Sequence, residues 1–128
     1  MPTYSISVTV DPSSEETEEL WVEGEAVDWV SIRFPPGPSG LLEVAIFYGE
    51  KQIWPSEEGQ VFKGDNEWIH FEDYWPLPET PCRLLVKAVN KDEVYEHSVY
   101  VRLPTKPLKT ERKVKFRVTP EGFIEVSV

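Results

Sequence analysis

Apolar and polar residues alternate along most of this chain. Tyr4, Ile6, Val8 and Val10 are interleaved with Ser5, Ser7 and Thr9, the period of two expected of a strand with one buried face. Asp11-Pro12-Ser13-Ser14 ends that strand. The acidic run 15–19 reads as a connector ahead of a short strand at 20–22. Residues 27–34 form a further strand, stopped by Pro35-Pro36-Gly37-Pro38-Ser39-Gly40, whose prolines cannot join a ladder. A nearly continuous apolar strand at 41–48 turns at Gly49-Glu50 into a strand at 51–54, which Pro55 closes.

Beyond Pro55, short segments at 60–63 and 68–71 are separated by Gly64-Asp65-Asn66, and Pro76, Pro78 and Pro81 mark an extended crossover. Strands at 83–89 and 94–103 flank Asn90-Lys91-Asp92-Glu93, which reads as a hairpin. Pro104 and Pro107 frame a linker, and strands at 112–118 and 122–128 form a second hairpin around Thr119-Pro120-Glu121-Gly122. No segment keeps a helical period over three turns. Roughly nine or ten short strands at regular spacing predict an all-β chain, an antiparallel β-sandwich of immunoglobulin-like or jelly-roll-like form. The expected organisation is an N-terminal strand with its acidic connector (1–16), a sandwich (17–104), and a linker with a basic C-terminal β-hairpin arm (105–128).

Composition narrows the function classes. The chain has 128 residues, 23 acidic and 13 basic, for a net charge of -10, which opposes nucleic-acid and anionic-membrane partners. The charge is split. Residues 1–101 carry 20 acidic and 6 basic side chains, a net of -14, and residues 102–128 carry 3 and 7, a net of +4. Lys113, Lys115 and Arg117 alternate with Val114, Phe116 and Val118, so this strand has one basic and one apolar face. The expected docking residues are therefore Lys113, Lys115, Phe116 and Arg117 on the C-terminal arm and Tyr4, Ile6 and Val8 on the first strand. They would engage another copy of the chain, as a trimer or a lattice, and another assembly protein.

Chemistry-bearing residues are sparse. His70 and His97 are the only histidines, and their spacing to Glu72, Asp73 and Glu96 matches no metal motif. Gly64-Asp65-Asn66-Glu67 lacks the twelve-residue calcium-loop pattern. Adjacent acids such as Glu72-Asp73 point to opposite faces of a strand and form no acid–base dyad. Cys82, the one cysteine, reads as a small core residue. No phosphate loop or nucleophile elbow is present, so the expectation is a non-enzymatic protein without a cofactor.

Five tryptophans are many for this length. Trp29, inside a strand, is expected in the core. Trp54, Tyr74 and Trp75 are the expected exposed aromatics, as ligand platforms or interface anchors. The leading functional expectation is a structural subunit of an oligomeric assembly, in its finest form a virion-associated capsid-decoration, neck or tail accessory protein of a phage or virus. The alternative is a carbohydrate-binding module using exposed Trp and Tyr. The N-terminus shows no basic segment followed by an apolar one, so synthesis in the cytoplasm without a signal peptide is expected, with a place on a virion surface under the leading reading. Twelve prolines, one Met and one Cys are a heat-adapted composition. The melting midpoint of the purified protein is accordingly expected above ~65 °C, the upper end of the mesophile range, and a midpoint inside that range refutes the expectation.

Overall fold

Strands whose every second side chain is apolar need a second apolar surface, and here two sheets supply it to each other. The computed structural model describes residues 2–108 together with residues 115–118 and 124–127. The strands in chain order are β1 (Thr3–Val10), β2 (Glu15–Val22), β3 (Ala26–Phe34), β4 (Leu42–Tyr48), β5 (Lys51–Trp54), β6 (Glu67–Pro76), β7 (Cys82–Asn90), β8 (His97–Lys106), β9 (Lys115–Val118) and β10 (Ile124–Ser127). The front sheet has the order β1-β8-β3-β6 and the back sheet β2-β7-β4-β5. Every neighbouring pair is antiparallel. No described helix is long and apolar enough to cross a membrane.

The pairings have a simple logic. β1 pairs with β8, β2 with β7, β3 with β6 and β4 with β5. The chain is thus one long antiparallel hairpin with its tip at Gly49-Glu50, rolled up so that successive pairs alternate between the two sheets. That connectivity is the jelly roll, and it decides between the two sandwich forms expected from the sequence. Val30, Ile32 and Phe34 of β3 and Val99, Val101 and Leu103 of β8 point inward from the front sheet. Leu42, Val44 and Ile46 of β4 and Leu84, Val86 and Ala88 of β7 meet them from the back, and all twelve are fully buried. Each of the eleven larger side chains, all but Ala88, contributes about 1.5–3 kcal/mol by leaving water.

Several expectations change. The acidic run is not a connector: Glu15–Val22 is one strand, with Leu20 and Val22 inward. Its register on β7 sets Glu19 against Arg83 at 2.6 Å and Glu15 near Lys87 at 3.9 Å. Glutamate is a poor strand former on average, but an edge strand tolerates it and acidic side chains block edge-to-edge pairing. Asn90-Lys91-Asp92-Glu93 is no hairpin, because β7 and β8 lie in different sheets and the loop crosses between them. Pro104 begins no linker, since β8 runs on to Lys106 and Thr105 is fully buried, donating its hydroxyl to the Glu23 carbonyl at 2.8 Å. Tyr74-Trp75-Pro76 belongs to β6 rather than to a crossover loop.

Asn90 ties the crossovers at one end. Its buried amide nitrogen donates to the carbonyls of Val10 (3.0 Å), Asp11 (3.3 Å) and Tyr95 (2.9 Å), and its side-chain oxygen accepts from the Asp92 amide at 2.9 Å. Backbone bonds from Asn90 N to Ser14 O and from Lys91 N to Leu41 O bring the β1–β2 and β3–β4 crossovers to the same point. Asp92 in turn holds the buried His97 ring at 2.7 Å. The amides of Val94 and Tyr95 and the His97 ring together hold the Asp92 carboxyl below its ordinary range. At the other end Gly24 sits at φ 138°, where a Cβ would come within 2.4 Å of the Lys106 carbonyl, so only glycine fits. Asn90→Ala orphans four backbone partners at once and is expected to lower unfolding stability by about 3 kcal/mol in a urea titration; a loss under about 1 kcal/mol removes Asn90 from this role.

Candidate functional site

Alternation that buries one face of the front sheet also builds the other. On β3 the outward residues are Trp29, Ser31 and Arg33; on β6, Trp68, His70 and Glu72; on β8, Ser98, Tyr100 and Arg102; on β1, Ser5, Ser7 and Thr9. Register places Arg33 opposite both Trp68 and Tyr100, and Ser31 opposite both His70 and Arg102. Two aromatic side chains, two arginines and a serine therefore surround a shallow cleft of about 290 Å³: Ser31, Arg33, Trp68, Tyr100 and Arg102. A second depression of about 320 Å³ shares Tyr100 and Arg102 and continues toward Ser5 and Ser7 on β1. The two share Tyr100 and Arg102 of β8, one lying toward β3 and β6 and the other toward β1, and the four strands together span about 14 Å at the usual spacing.

The groove's walls are fixed by bonds within the sheet. Trp68 is 58% exposed, yet its indole N–H donates to the hydroxyl of buried Ser31. The ring is tethered along the sheet while its π face stays open. Beside it, Trp29 and His70 stack with centroids 4.5 Å apart and planes 17° from parallel. Arg33 donates from Nη2 to Asn66 Oδ1 at 2.8 Å. The same turn anchors the Pro35–Gly40 loop, because Asp65 Oδ1 accepts from the Gly37 amide at 2.7 Å. That turn, weighed in the sequence as a calcium loop, spends its polar atoms on the fold. Among the described residues neither Arg33 nor Arg102 forms a salt bridge with a carboxylate, whereas Arg83, Lys87 and Lys91 on the back sheet each do.

The residues singled out by sequence fall in different places. Trp54 is 1% exposed and donates its indole N–H to Asp73 at 2.8 Å. Trp75 is half-buried, edge-on to Trp54 at 5.6 Å and to Tyr48 at 5.8 Å. These rings seal the side of the sandwich and are not exposed platforms, because β5 and β6 turn them inward. Tyr74 is exposed, with the Lys106 ammonium 5.4 Å from its ring centroid. Trp29 is corrected in the opposite sense, from core to the outer face. Val8 is buried and Tyr4 and Ile6 pack against the same core, so the apolar side of β1 is used within this chain and the strand's free edge is its backbone. Lys115, Phe116 and Arg117 lie on β9, which pairs with β10 as a separate two-stranded sheet; Lys113 lies outside the described residues.

His97 is turned inward and His70 outward, so the two are on opposite faces of the front sheet. Among the described residues no three His, Cys, Asp or Glu side chains gather in a metal-holding group. Burial, with Glu79 adding, pushes the Cys82 thiol up to about 11, which keeps it protonated at neutral pH. The groove residues Trp68, Tyr100, Arg33 and Arg102 went unselected as a set because they come from three strands. The signal within reach was local: an outward period of two from Trp29 to Arg33 and from Trp68 to Glu72.

No protein-family model matches this chain, and a search of curated proteins finds no match. Function is therefore argued from the groove itself.

Proposed function

We propose that this protein is a non-enzymatic recognition module whose working surface is the outer face of the front sheet. The observation that carries this reading is the groove of Trp68, Tyr100, Arg33 and Arg102. A chain with a net charge of -10 has carboxylates to spare, yet these two arginines form no ion pair among the described residues. Aromatic faces beside arginines are the chemistry of ligand recognition, where one group supplies contact area and the other directional charge. The carbohydrate-binding alternative drawn from the sequence thus keeps its chemistry and moves to new residues. Titrating a panel of glycans, acidic peptides and nucleotides is expected to find a ligand that changes the Trp68 signal, identified by difference from Trp68→Phe. A ligand response that is undiminished in a Trp68→Phe, Arg102→Gln double variant, or silence across the whole panel, overturns the reading.

A second reading, the subunit of an oligomeric assembly, is favoured by a separate observation. Among the described residues β9 and β10 pair only with each other, and an isolated two-stranded sheet is marginal in water. This sheet lies in the +4 segment of a chain whose first 101 residues carry -14, so a second copy offers it a complementary surface. In its finest form this is the virion-associated accessory protein, with the jelly roll presented outward and the hairpin engaging neighbours. Ending the chain after Leu108 keeps all of β8 and is expected to convert an oligomer to a folded monomer in sedimentation velocity. An unchanged oligomeric state, or a full-length protein that is already monomeric, rules this reading out.

A further inference from the structure

We infer that the groove takes an oligosaccharide bearing a single carboxylate, an inference that rests on the recognition reading above. Three features of the groove select this chemistry together. The first is the open face of Trp68, tethered through Ser31. A pyranose ring presents a row of C–H groups, weakly positive, that pack flat on the negative face of an indole. The second is the arginine pair. Ser31 stands opposite Arg102 and Arg33 opposite Tyr100, so Arg33 and Arg102 are diagonal neighbours on adjacent strands. Arg33 spends an Nη2 N–H on Asn66 Oδ1, and its remaining N–H groups together with those of Arg102 can meet one planar carboxylate through charge-assisted N–H···O bonds. The third is the second depression on the far side of Tyr100, at Ser5 and Ser7, where hydroxyls offer both donors and acceptors to sugar hydroxyls.

The number of charges follows from the rest of the molecule. A nucleic acid or a polyuronate brings one negative charge per unit, and the surrounding chain is strongly acidic. The two arginines hold one carboxylate between them, and the further charges of a polyanion would lie beyond them against the acidic chain and be repelled. An acidic peptide would satisfy the arginines but has no reason to lie flat on Trp68 while filling a hydroxyl-lined groove. The four strands span about 14 Å, more than one sugar ring, so neutral rings of the same oligosaccharide reach across Tyr100 to the second depression on the β1 side.

Full-length protein labelled with 5-fluorotryptophan gives one resonance per tryptophan, and Trp68→Phe assigns the one at the groove. Sialyllactose and an aldotriouronic acid, each with one carboxylate, are expected to shift the Trp68 resonance saturably. Their methyl esters, which keep the shape and lose the charge, are expected to bind about tenfold more weakly or worse. Arg33→Gln and Arg102→Gln should each produce a similar loss while the other four tryptophan resonances stay in place, showing the fold intact. Equal binding of acid and ester overturns the inference, as does tighter binding of hexaglutamate or oligo(dT) than of either sugar. In those cases Trp68 still responds and the recognition reading stands. A Trp68 resonance unmoved by all of these probes overturns both.

Discussion

The structure depends on one constraint: with a single exception, each of the first seven strands hands the chain to the opposite sheet. Only β4 and β5, joined at Gly49-Glu50, stay together. Crossing loops cannot satisfy their backbone groups through a ladder, so other partners have to be found. Asn90 supplies them at one end, with its amide reaching Val10, Asp11 and Tyr95. At the other end Gly24 lets the chain pass close to the Lys106 carbonyl, while Thr80 and Thr105 hydroxyls serve Gly24 N and Glu23 O. A hydrophobic core of this size forms only because both ends are closed in this way.

Once the sheets are closed, the two faces of each front strand do different work. On β3, Val30, Ile32 and Phe34 fill the core while Ser31 and Arg33 stand outside between β6 and β8. The tryptophans divide along the same line. Trp54 and Trp75 close the side of the sandwich, Trp29 and Trp68 lie along its front, and Trp21 is exposed on β2 of the back sheet. The back sheet differs in character. Its outward charges pair across strands, as Glu19 does with Arg83 and Glu43 with Lys91. Those pairs lie at the surface and contribute little to stability, and Lys51 of β5 is the back-sheet cation outside them among the described residues. On the front Arg33 bonds Asn66, and among the described residues neither it nor Arg102 pairs with a carboxylate.

Much of the fold was legible because the alternation is strong. β1, β3, β4, β5 and β7 lie within a residue or so of where the pattern puts them. β2 and the second half of β6 were hidden for opposite reasons. Glutamates at 15–19 look like a solvated connector until β7 is set beside them, and Tyr74-Trp75-Pro76 looks like a loop because proline rarely occupies a strand. β6 is a sheet edge, where a missing N–H is tolerated. The candidate groove was less legible. Trp68 and Arg33 are 35 residues apart in sequence, Arg102 a further 34 from Trp68, and no local pattern states that they share a face of one sheet.

What the sequence by itself determined is the class of the fold and the character of its surface: period-two strands, proline-stopped loops, a large acidic excess and a basic end. These are local or summed properties, and they hold whatever the strand order. What only the tertiary structure decided is the order itself, the jelly-roll rolling of one hairpin, and with it which aromatic rings are walls and which are surface. An alternating strand has two faces and no label for inside or outside beyond its side chains. Tryptophan suits either, because its ring packs in a core and its N–H needs only one partner. Asp73 supplies that partner for Trp54 inside, and Ser31 supplies it for Trp68 outside.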